Sequence, residues 1–247
     1  MNNPSNEILA QLVRMSRYLG DPSRDYAIIG EGNTSARADA ESFWVKASGV
    51  ELSTIEPEGF VQVSFRAIQK LLEAGELSDA EIKAGLESAR VDPAATRRPS
   101  VETFLHALAL QLDGVNFVGH THPTMVNAIL CSQWAEEAIS GRLFPDEIVV
   151  CGPAPVYVPY TDPGLPLAKA VQHALQNYGT TYGQPPKVIY MQNHGLIALG
   201  KTPSEVQNIT AMAVKTARVL LGTYALGGPH YMEPEQVNRI YSRPDEH

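Results

Sequence analysis

Two histidines one residue apart, His120 and His122, lie in the stretch GHTHPT, directly after the apolar segment VNFV. In a β-strand, residues i and i+2 project from the same face, so two imidazoles at this spacing can share one divalent cation. Histidine pairs of this kind also occur as ordinary polar residues where a strand meets a turn. The spacing therefore raises a metal site as a hypothesis, and residues elsewhere in the chain have to decide it.

A third histidine, His194, lies in the stretch NHGLIALG, between two apolar segments that are typical of strands. We expect the following Gly195 to give the turn a positive φ, which glycine adopts without steric cost. A histidine at such a turn can supply a third nitrogen ligand from another strand. Three protein ligands that leave a coordination position open are typical of a catalytic metal site, whereas structural sites are closed.

Glu102 is a candidate metal ligand or base. It lies in the stretch PSVETFLHALALQLDG, which predicts a helix capped by Ser100 and ended by Gly114. From the start of this helix, its carboxylate could reach the spot where the histidines meet. An acidic residue in the first turn of a helix is also favoured by the helix dipole, so its position alone leaves both interpretations open.

Three turns rich in glycine or hydroxyl side chains could bind an anion: GEGNTSAR at 30–37, KASG at 46–49 and RPS at 98–100. The first lacks the third glycine of a dinucleotide-binding fingerprint and does not open a helix, which excludes a Rossmann site. Free backbone N–H groups in such turns can cradle an anion, and the third turn precedes a helix N-terminus suited to phosphate. Each turn alone is more often only a turn.

Composition limits the class of protein. The chain has 247 residues, and the 44% that are hydrophobic suffice for a sizeable core. A net charge of −8 with no basic run beyond Arg97–Arg98 disfavours nucleic acid and anionic membranes as partners. The N-terminus does not read as a signal peptide, and no apolar run is long enough for a membrane span. With only Cys131 and Cys151, free thiols in a reducing compartment are favoured, and we expect a soluble cytoplasmic protein.

The pattern along the chain predicts one domain, residues 1–247, without repeats or long linkers. Helical spacing predicts a helix at 5–19, and a long helix is predicted after the capping residues Thr202 and Ser204. The stretches SFWVKASG, GFVQVSF, VNFVGHTH and KVIYMQNHGLIALG are typical of strands. The stretch EIVVCG is also predicted to be a strand, and the polar segment 85–99 a surface loop.

The order of these pieces resembles a known family. GEGNTS, KASG, PSVE, HTHP and NHGLIALG, in this sequence, are similar to the motifs of the class II aldolase/adducin family. That family includes fuculose- and rhamnulose-phosphate aldolases and ribulose-5-phosphate 4-epimerases. The likeness extends from about Gly30 to the long helix after Gly200, and five motifs in one order are far more specific than any one of them.

The resemblance implies an α/β fold, a three-layer α/β/α sandwich around a mainly antiparallel central sheet. It also implies a homotetramer with active sites between subunits, and a small-molecule substrate such as a sugar phosphate or a hydroxy-ketone. The implied cofactor is Zn²⁺, or another divalent transition metal, on His120, His122 and His194.

The resemblance also implies roles for residues around the metal. Glu102 matches the catalytic carboxylate. The positions implied to bind substrate, mainly through its phosphate, are Gly32, Asn33, Ser48, Gly49 and Ser100. Members of the family use tyrosines, often from a neighbouring subunit, as the acid at the aldehyde oxygen. The candidates here are Tyr231 and Tyr241, with Tyr224 behind them.

Two departures from the family pattern bear on the reaction. Val101 replaces the second serine of the family's usual Ser-Ser pair, which removes one phosphate hydroxyl. The epimerases typically carry aspartate where this chain has Glu102, which favours carbon–carbon cleavage. We therefore expect a metal-dependent class II aldolase, an aldehyde-lyase of carbohydrate metabolism. The alternatives are a sugar-acid phosphate decarboxylase, a 4-epimerase, a dehydratase, or a non-catalytic adducin-like interaction module, which the three histidines disfavour.

Overall fold

The computed structural model describes residues 4–243, with side chains from residue 6 onward. The two ends of the predicted domain, residues 1–3 and 244–247, lie outside this range. The helices are α1 (Pro4–Leu19), α2 (Phe65–Glu73), α3 (Asp79–Ser88), α4 (Thr103–Leu110), α5 (Thr124–Leu130), α6 (Ala135–Ser140), α7 (Pro145–Cys151), α8 (Leu165–Tyr182), α9 (Pro203–Tyr224) and α10 (Pro234–Tyr241). The strands are β1 (Asn33–Arg37), β2 (Ser42–Lys46), β3 (Phe60–Ser64), β4 (Phe117–Thr121), β5 (Val156–Val158), β6 (Val188–Met191) and β7 (Gly195–Gly200).

In the described part of the chain the strands form one sheet with the order β3-β2-β1-β4-β7-β6-β5. All pairings are antiparallel except that of β5 with β6, which is parallel. The mainly antiparallel sheet that the resemblance implies is thus confirmed. The central strand β4 is paired on both sides, with β1 and with β7; it carries His120, and His122 comes directly after its last residue.

Side chains alternate between the two faces of the sheet, and each face has its own apolar core. On β7, Ile197 and Leu199 pack into the core formed with α2, α4 and α8, whereas Leu196 and Ala198 pack into the core formed with α1, α5 and α9. Full burial of a leucine or isoleucine side chain contributes about 1.5–3 kcal/mol. Because both faces are covered by helices, the domain has the three layers that the resemblance implied.

Two predictions of secondary structure were wrong. The stretch EIVVCG lies in α7 rather than in a strand, because Pro145 begins a helix with Asp146 and Glu147 in its first turn, where acidic side chains favour the helix dipole. A short apolar run of this kind does not separate a strand from a buried helix. The first residues of the predicted loop 85–99 belong to α3, which a capping box between Ser78 and Glu81 begins.

Among the described residues, no helix combines the length and the apolar character that crossing a membrane requires.

Candidate metal centre and active site

His120 is fixed on the central strand. It lies opposite Asn33 of β1 on one side and Ile197 of β7 on the other, and it is fully buried. Its Nδ1 lies 2.9 Å from the carbonyl oxygen of Leu196. Since a carbonyl only accepts, Nδ1 carries the proton and donates it. In the neutral ring, Nε2 of His120 therefore presents a lone pair, as metal binding requires.

His122 follows the last residue of β4 and is held by its backbone. Its N–H donates to the carbonyl of Tyr26 at 2.8 Å, and Pro123 then leads into α5. The Nε2 atoms of His122 and His120 are 3.0 Å apart. Burial, followed by the neighbouring imidazoles, lowers the pKa of His122 to about 3, so it is neutral and able to coordinate at physiological pH.

His194 lies in the turn between β6 and β7. Its N–H donates to the carbonyl of Met191 at 3.2 Å, and its own carbonyl accepts from the Asn127 side chain of α5 at 3.0 Å. The left-handed residue of this turn is Asn193, with φ 54°, so the expectation that Gly195 supplies the positive φ was wrong. Asparagine tolerates this conformation better than most residues.

Gly195 is needed for space instead. A Cβ atom at this position would lie 2.5 Å from the carbonyl oxygen of Thr121 and 2.7 Å from Cδ2 of His122. The absence of this atom lets the start of β7 approach His120 and His122 closely. That approach brings the third imidazole to the other two.

The three imidazoles meet at one point. Their ring centroids are 4.7, 4.9 and 5.1 Å apart, and one ligand nitrogen from each residue lies within 4.8 Å of the others. Imidazole nitrogens suit Zn²⁺ and several other first-row divalent ions. The geometry, and the donor set with its fixed tautomer at His120, fit such an ion.

Glu102 completes the cluster from α4, where it occupies the N-cap position. Its Oε1 lies 3.1 Å from Nε2 of His194 and 3.5 Å from Nε2 of His120, and the amide of Asn33 donates to its Oε2. Burial raises the pKa of this carboxyl, but the facing imidazoles, His120 above all, outweigh burial and hold it well below the usual range. Glu102 is therefore ionised.

The first and third of the predicted substrate-binding turns lie next to residues of this cluster. Gly32 has φ 70°, and a Cβ on it would lie 2.6 Å from the carbonyl oxygen of His120, so this position requires glycine. A bridge between Ala47 and Pro99 joins the second and third turns. It brings together Ser48, Gly49 (φ 76°) and Ser100, whose Oγ accepts from the N–H of Glu102 at 3.3 Å.

The two tyrosines are placed elsewhere. The hydroxyl of Tyr231 donates to the carbonyl of Ala138 at 2.8 Å, and that of Tyr241 donates to Gln184 at 2.8 Å. Tyr241 also lines a cavity with Gly200, at the end of β7 remote from the histidines, roughly 16 Å away along the strand. Each tyrosine hydroxyl thus has a hydrogen-bond acceptor of its own within the subunit.

Two site residues escaped the sequence analysis. Lys46 is only 2% exposed, and its ammonium donates to the carbonyls of Gly30 (3.2 Å) and Val50 (2.6 Å), which ties the first turn to the second. Burial lowers its pKa, partly offset by Glu102. A lysine in the buried strand SFWVK was the available signal. The other residue is Glu31, whose Oε1 lies 3.8 Å from Nδ1 of His122.

Comparison with known proteins agrees with the fold. The family model described as "Class II Aldolase and Adducin N-terminal domain" matches residues 10–221. The chain therefore belongs to the class II aldolase and adducin family.

Sequence identity to individual known proteins is modest. The chain is 28% identical over 215 residues to a protein of Bacillus subtilis named "Uncharacterized oxidoreductase YuxG"; the match covers 84% of this chain but only 28% of that longer protein. The N-terminal class II aldolase domain of a conserved protein from Thermoplasma acidophilum is 26% identical with a TM-score of 0.69, covering 86% of this chain and 93% of that one. A solved L-fuculose 1-phosphate aldolase shares the fold, with a TM-score of 0.71 at 16% identity, over 95% and 94% of the two chains.

Proposed function

We propose that this protein is a metal-dependent class II aldolase that cleaves a ketose phosphate or a related hydroxy-ketone. The observation that carries the proposal is the convergence of three imidazole nitrogens within 4.8 Å of one another, with the ionised carboxylate of Glu102 beside them. Family membership and the fold shared with L-fuculose 1-phosphate aldolase support it.

His120, His122 and His194 would hold Zn²⁺ or another divalent transition metal. Such an ion, when bound, supplies Lewis-acid stabilisation for the negative charge that develops on the carbonyl side of the substrate during aldol cleavage, without a Schiff-base lysine. The protein's own contribution is the fixed direction of the ligands, which the bond from His120 to the Leu196 carbonyl illustrates.

Glu102 would move the proton at the substrate carbon that becomes nucleophilic. The amide of Asn33 holds Oε2, so Oε1 is the oxygen that faces the imidazoles. A carboxylate that is ionised before the reaction can accept a proton and return it, which is general acid–base catalysis. In this proposal Asn33 orients the carboxylate in addition to contacting substrate.

The phosphate of the substrate would lie against the paired turns. Backbone N–H groups at Gly32 and Gly49 and the hydroxyls of Ser48 and Ser100 supply donors there. Val101 is 48% exposed where the family often has a second serine hydroxyl. A non-phosphorylated hydroxy-ketone therefore stays within the proposal.

The acid at the aldehyde oxygen would come from a neighbouring subunit of a homotetramer, and Tyr231 and Tyr241 are the candidates. Within one subunit both hydroxyls already donate to other groups. An isolated subunit would consequently lack this acid, and assembly would be required for full activity.

The experiment that tests the proposed function is retro-aldol cleavage of a panel of ketose 1-phosphates, each with and without a chelator. Release of dihydroxyacetone phosphate that the chelator abolishes and added Zn²⁺ restores is the expected result. No cleavage of any substrate by protein that demonstrably holds metal would contradict the aldolase assignment and favour the decarboxylase, epimerase or dehydratase alternatives. Native protein without metal affinity would favour the adducin-like interaction module.

A further inference from the structure

The segment from Tyr26 to Glu31 lies against His122 and is attached to its strand at both ends. At one end, the carbonyl of Tyr26 accepts the N–H of His122 at 2.8 Å. At the other end, two residues beyond Glu31, Asn33 pairs with His120 in the β1–β4 ladder. The side chain of Glu31 therefore extends from a segment that is hydrogen-bonded to His122 at one end and leads into the strand residue paired with His120 at the other.

Glu31 itself closes a tight turn in this segment. Its N–H donates to the carbonyl of Ile28 at 3.0 Å, and its Oε2 accepts from the N–H of Ile28 at 3.0 Å. Between them, Ile29 has φ 54°, a left-handed conformation that β-branched residues rarely adopt. Ile29 is 79% exposed, so its own packing does not hold the turn. The two hydrogen bonds of Glu31 do, and they aim the other carboxylate oxygen.

That oxygen faces the ring of His122. Oε1 of Glu31 is 3.8 Å from Nδ1 of His122, while Nε2 of the same ring faces Nε2 of His120 at 3.0 Å. A histidine that binds a metal through one nitrogen almost always donates its other N–H to a carboxylate, a carbonyl or water. His120 does so to the Leu196 carbonyl. At 3.8 Å the pair is longer than a hydrogen bond, and a small rotation of the imidazole or the carboxylate closes it.

We propose that Glu31 is a positioning residue for the metal centre. Its carboxylate accepts the Nδ1 proton of His122, which fixes the ring orientation and the tautomer in which Nε2 is free to coordinate. The inference rests on the proposed function, because it requires that the three histidines bind a metal. It adds a residue that the family resemblance did not assign in this chain.

Asp25 provides a matched control. Asp25 and Glu31 are two carboxylates lining the same cavity of about 220 Å³ beside His122, yet the ion pairs found within residues 4–243 include none from Asp25 to an imidazole. Asp25 has φ 59°, a conformation that asparagine adopts readily. Asp25→Asn therefore removes one charge from the cavity without removing the contact to His122 and without backbone strain.

The experiment measures the dissociation constant for Zn²⁺ by competition with a chromophoric chelator in wild type, Glu31→Gln and Asp25→Asn. We expect Glu31→Gln to weaken Zn²⁺ binding by about 10- to 100-fold and Asp25→Asn to change it by about twofold or less. The visible absorption of the Co²⁺-substituted protein should shift in Glu31→Gln alone, since the geometry of His122 changes there. Glu31 is partly exposed, so the variant should fold, which circular dichroism verifies.

The outcomes separate the two proposals. Wild-type affinity in Glu31→Gln, or an equal loss in Asp25→Asn, overturns the positioning role, because only cavity charge would then matter. If His120→Ala abolishes Zn²⁺ binding while Glu31→Gln retains it, the metal site stands and the role of Glu31 falls. If the wild type itself binds no stoichiometric Zn²⁺, both proposals fall together. As a second variant, Glu31→Ala should match or exceed the loss in Glu31→Gln; unchanged affinity there also overturns the role.

Discussion

Gly195→Ala tests whether the close approach of β7 to β4 builds the metal centre. The added methyl would lie 2.5 Å from the carbonyl oxygen of Thr121 and 2.7 Å from Cδ2 of His122. Optimal contact distances are about 3.5 Å or more, so the shortfall at Thr121 is about 1 Å. The carbonyl oxygen of Thr121 belongs to the backbone of β4, which is paired with β7 and cannot swing away. The φ of Gly195 is outside the left-handed region, so the cost arises from space alone.

The magnitude follows from this shortfall. Overpacking of a well-packed interior costs about 1–3 kcal/mol, and for a chain of this size each kcal/mol lowers Tm by about 2–4 °C. Tm in the presence of chelator should therefore fall by about 2–12 °C. Functional groups must be held within about 0.5 Å of their working geometry. The shortfall at His122 is about 0.8 Å, so a displacement of this size should weaken Zn²⁺ binding by about tenfold or more.

Thermal unfolding with chelator and Zn²⁺ competition without it are the two assays, and Gly179→Ala is the control. Gly179 lies in the exposed part of α8, where an added Cβ meets nothing within 4 Å, so alanine should stabilise the protein by about 0.4–1 kcal/mol. Wild-type stability together with wild-type zinc affinity in Gly195→Ala would refute the reasoning. The start of β7 could then accommodate a methyl group beside the histidines without displacing them.

Three further outcomes are expected. Glu102→Gln should keep bound metal and lose turnover, because the amide cannot accept the proton. Full activity in a sample of the variant that holds as much metal as the wild type would contradict the assigned role. Zn²⁺ affinity should fall as the pH drops through the pKa of His120, because protonation of the imidazole competes with the metal. Burial lowers the pKa of His120, but Glu102 and the Leu196 carbonyl raise it, and the net result is a pKa above the ordinary value. A Zn²⁺ affinity that does not change with pH would argue against coordination by His120. Burial raises the pKa of the Cys151 thiol to about 12, whereas Cys131 is exposed. At about pH 8 a thiol reagent should therefore label one cysteine in the native protein and two after denaturation. Rapid labelling of both cysteines in the native protein would contradict the burial of Cys151.

Features that depend on neighbouring residues along the chain could be predicted from the sequence. The strands β2 and β3 were predicted from alternating or β-branched residues. The start of α9 was predicted at Thr202, whose side chain does accept the N–H of Glu205. The His-x-His spacing indicated two imidazoles on one face, which the distance of 3.0 Å between their Nε2 atoms supports. Where the local pattern was ambiguous, as in EIVVCG, the prediction was wrong.

The candidate site depends on contacts between residues far apart in sequence. Asn33 donates to Glu102 across 69 residues, and His120 bonds the carbonyl of Leu196 across 76. The order of the sequence motifs predicted most members of the cluster. No local pattern, however, marks Glu31 as the carboxylate beside His122.

The sequence by itself determined which chemistry the chain offers: three imidazoles, a carboxylate at the start of a helix, and turns with free donors. Only the tertiary structure decided which atoms face one another, that Gly195 serves proximity rather than a turn, and that Tyr231 and Tyr241 bond elsewhere within the subunit. The physical reason is that side-chain type and local backbone preference are properties of short segments. The meeting of β1, β4, β7 and α4 is a property of packing, which the buried surfaces of the whole chain fix together.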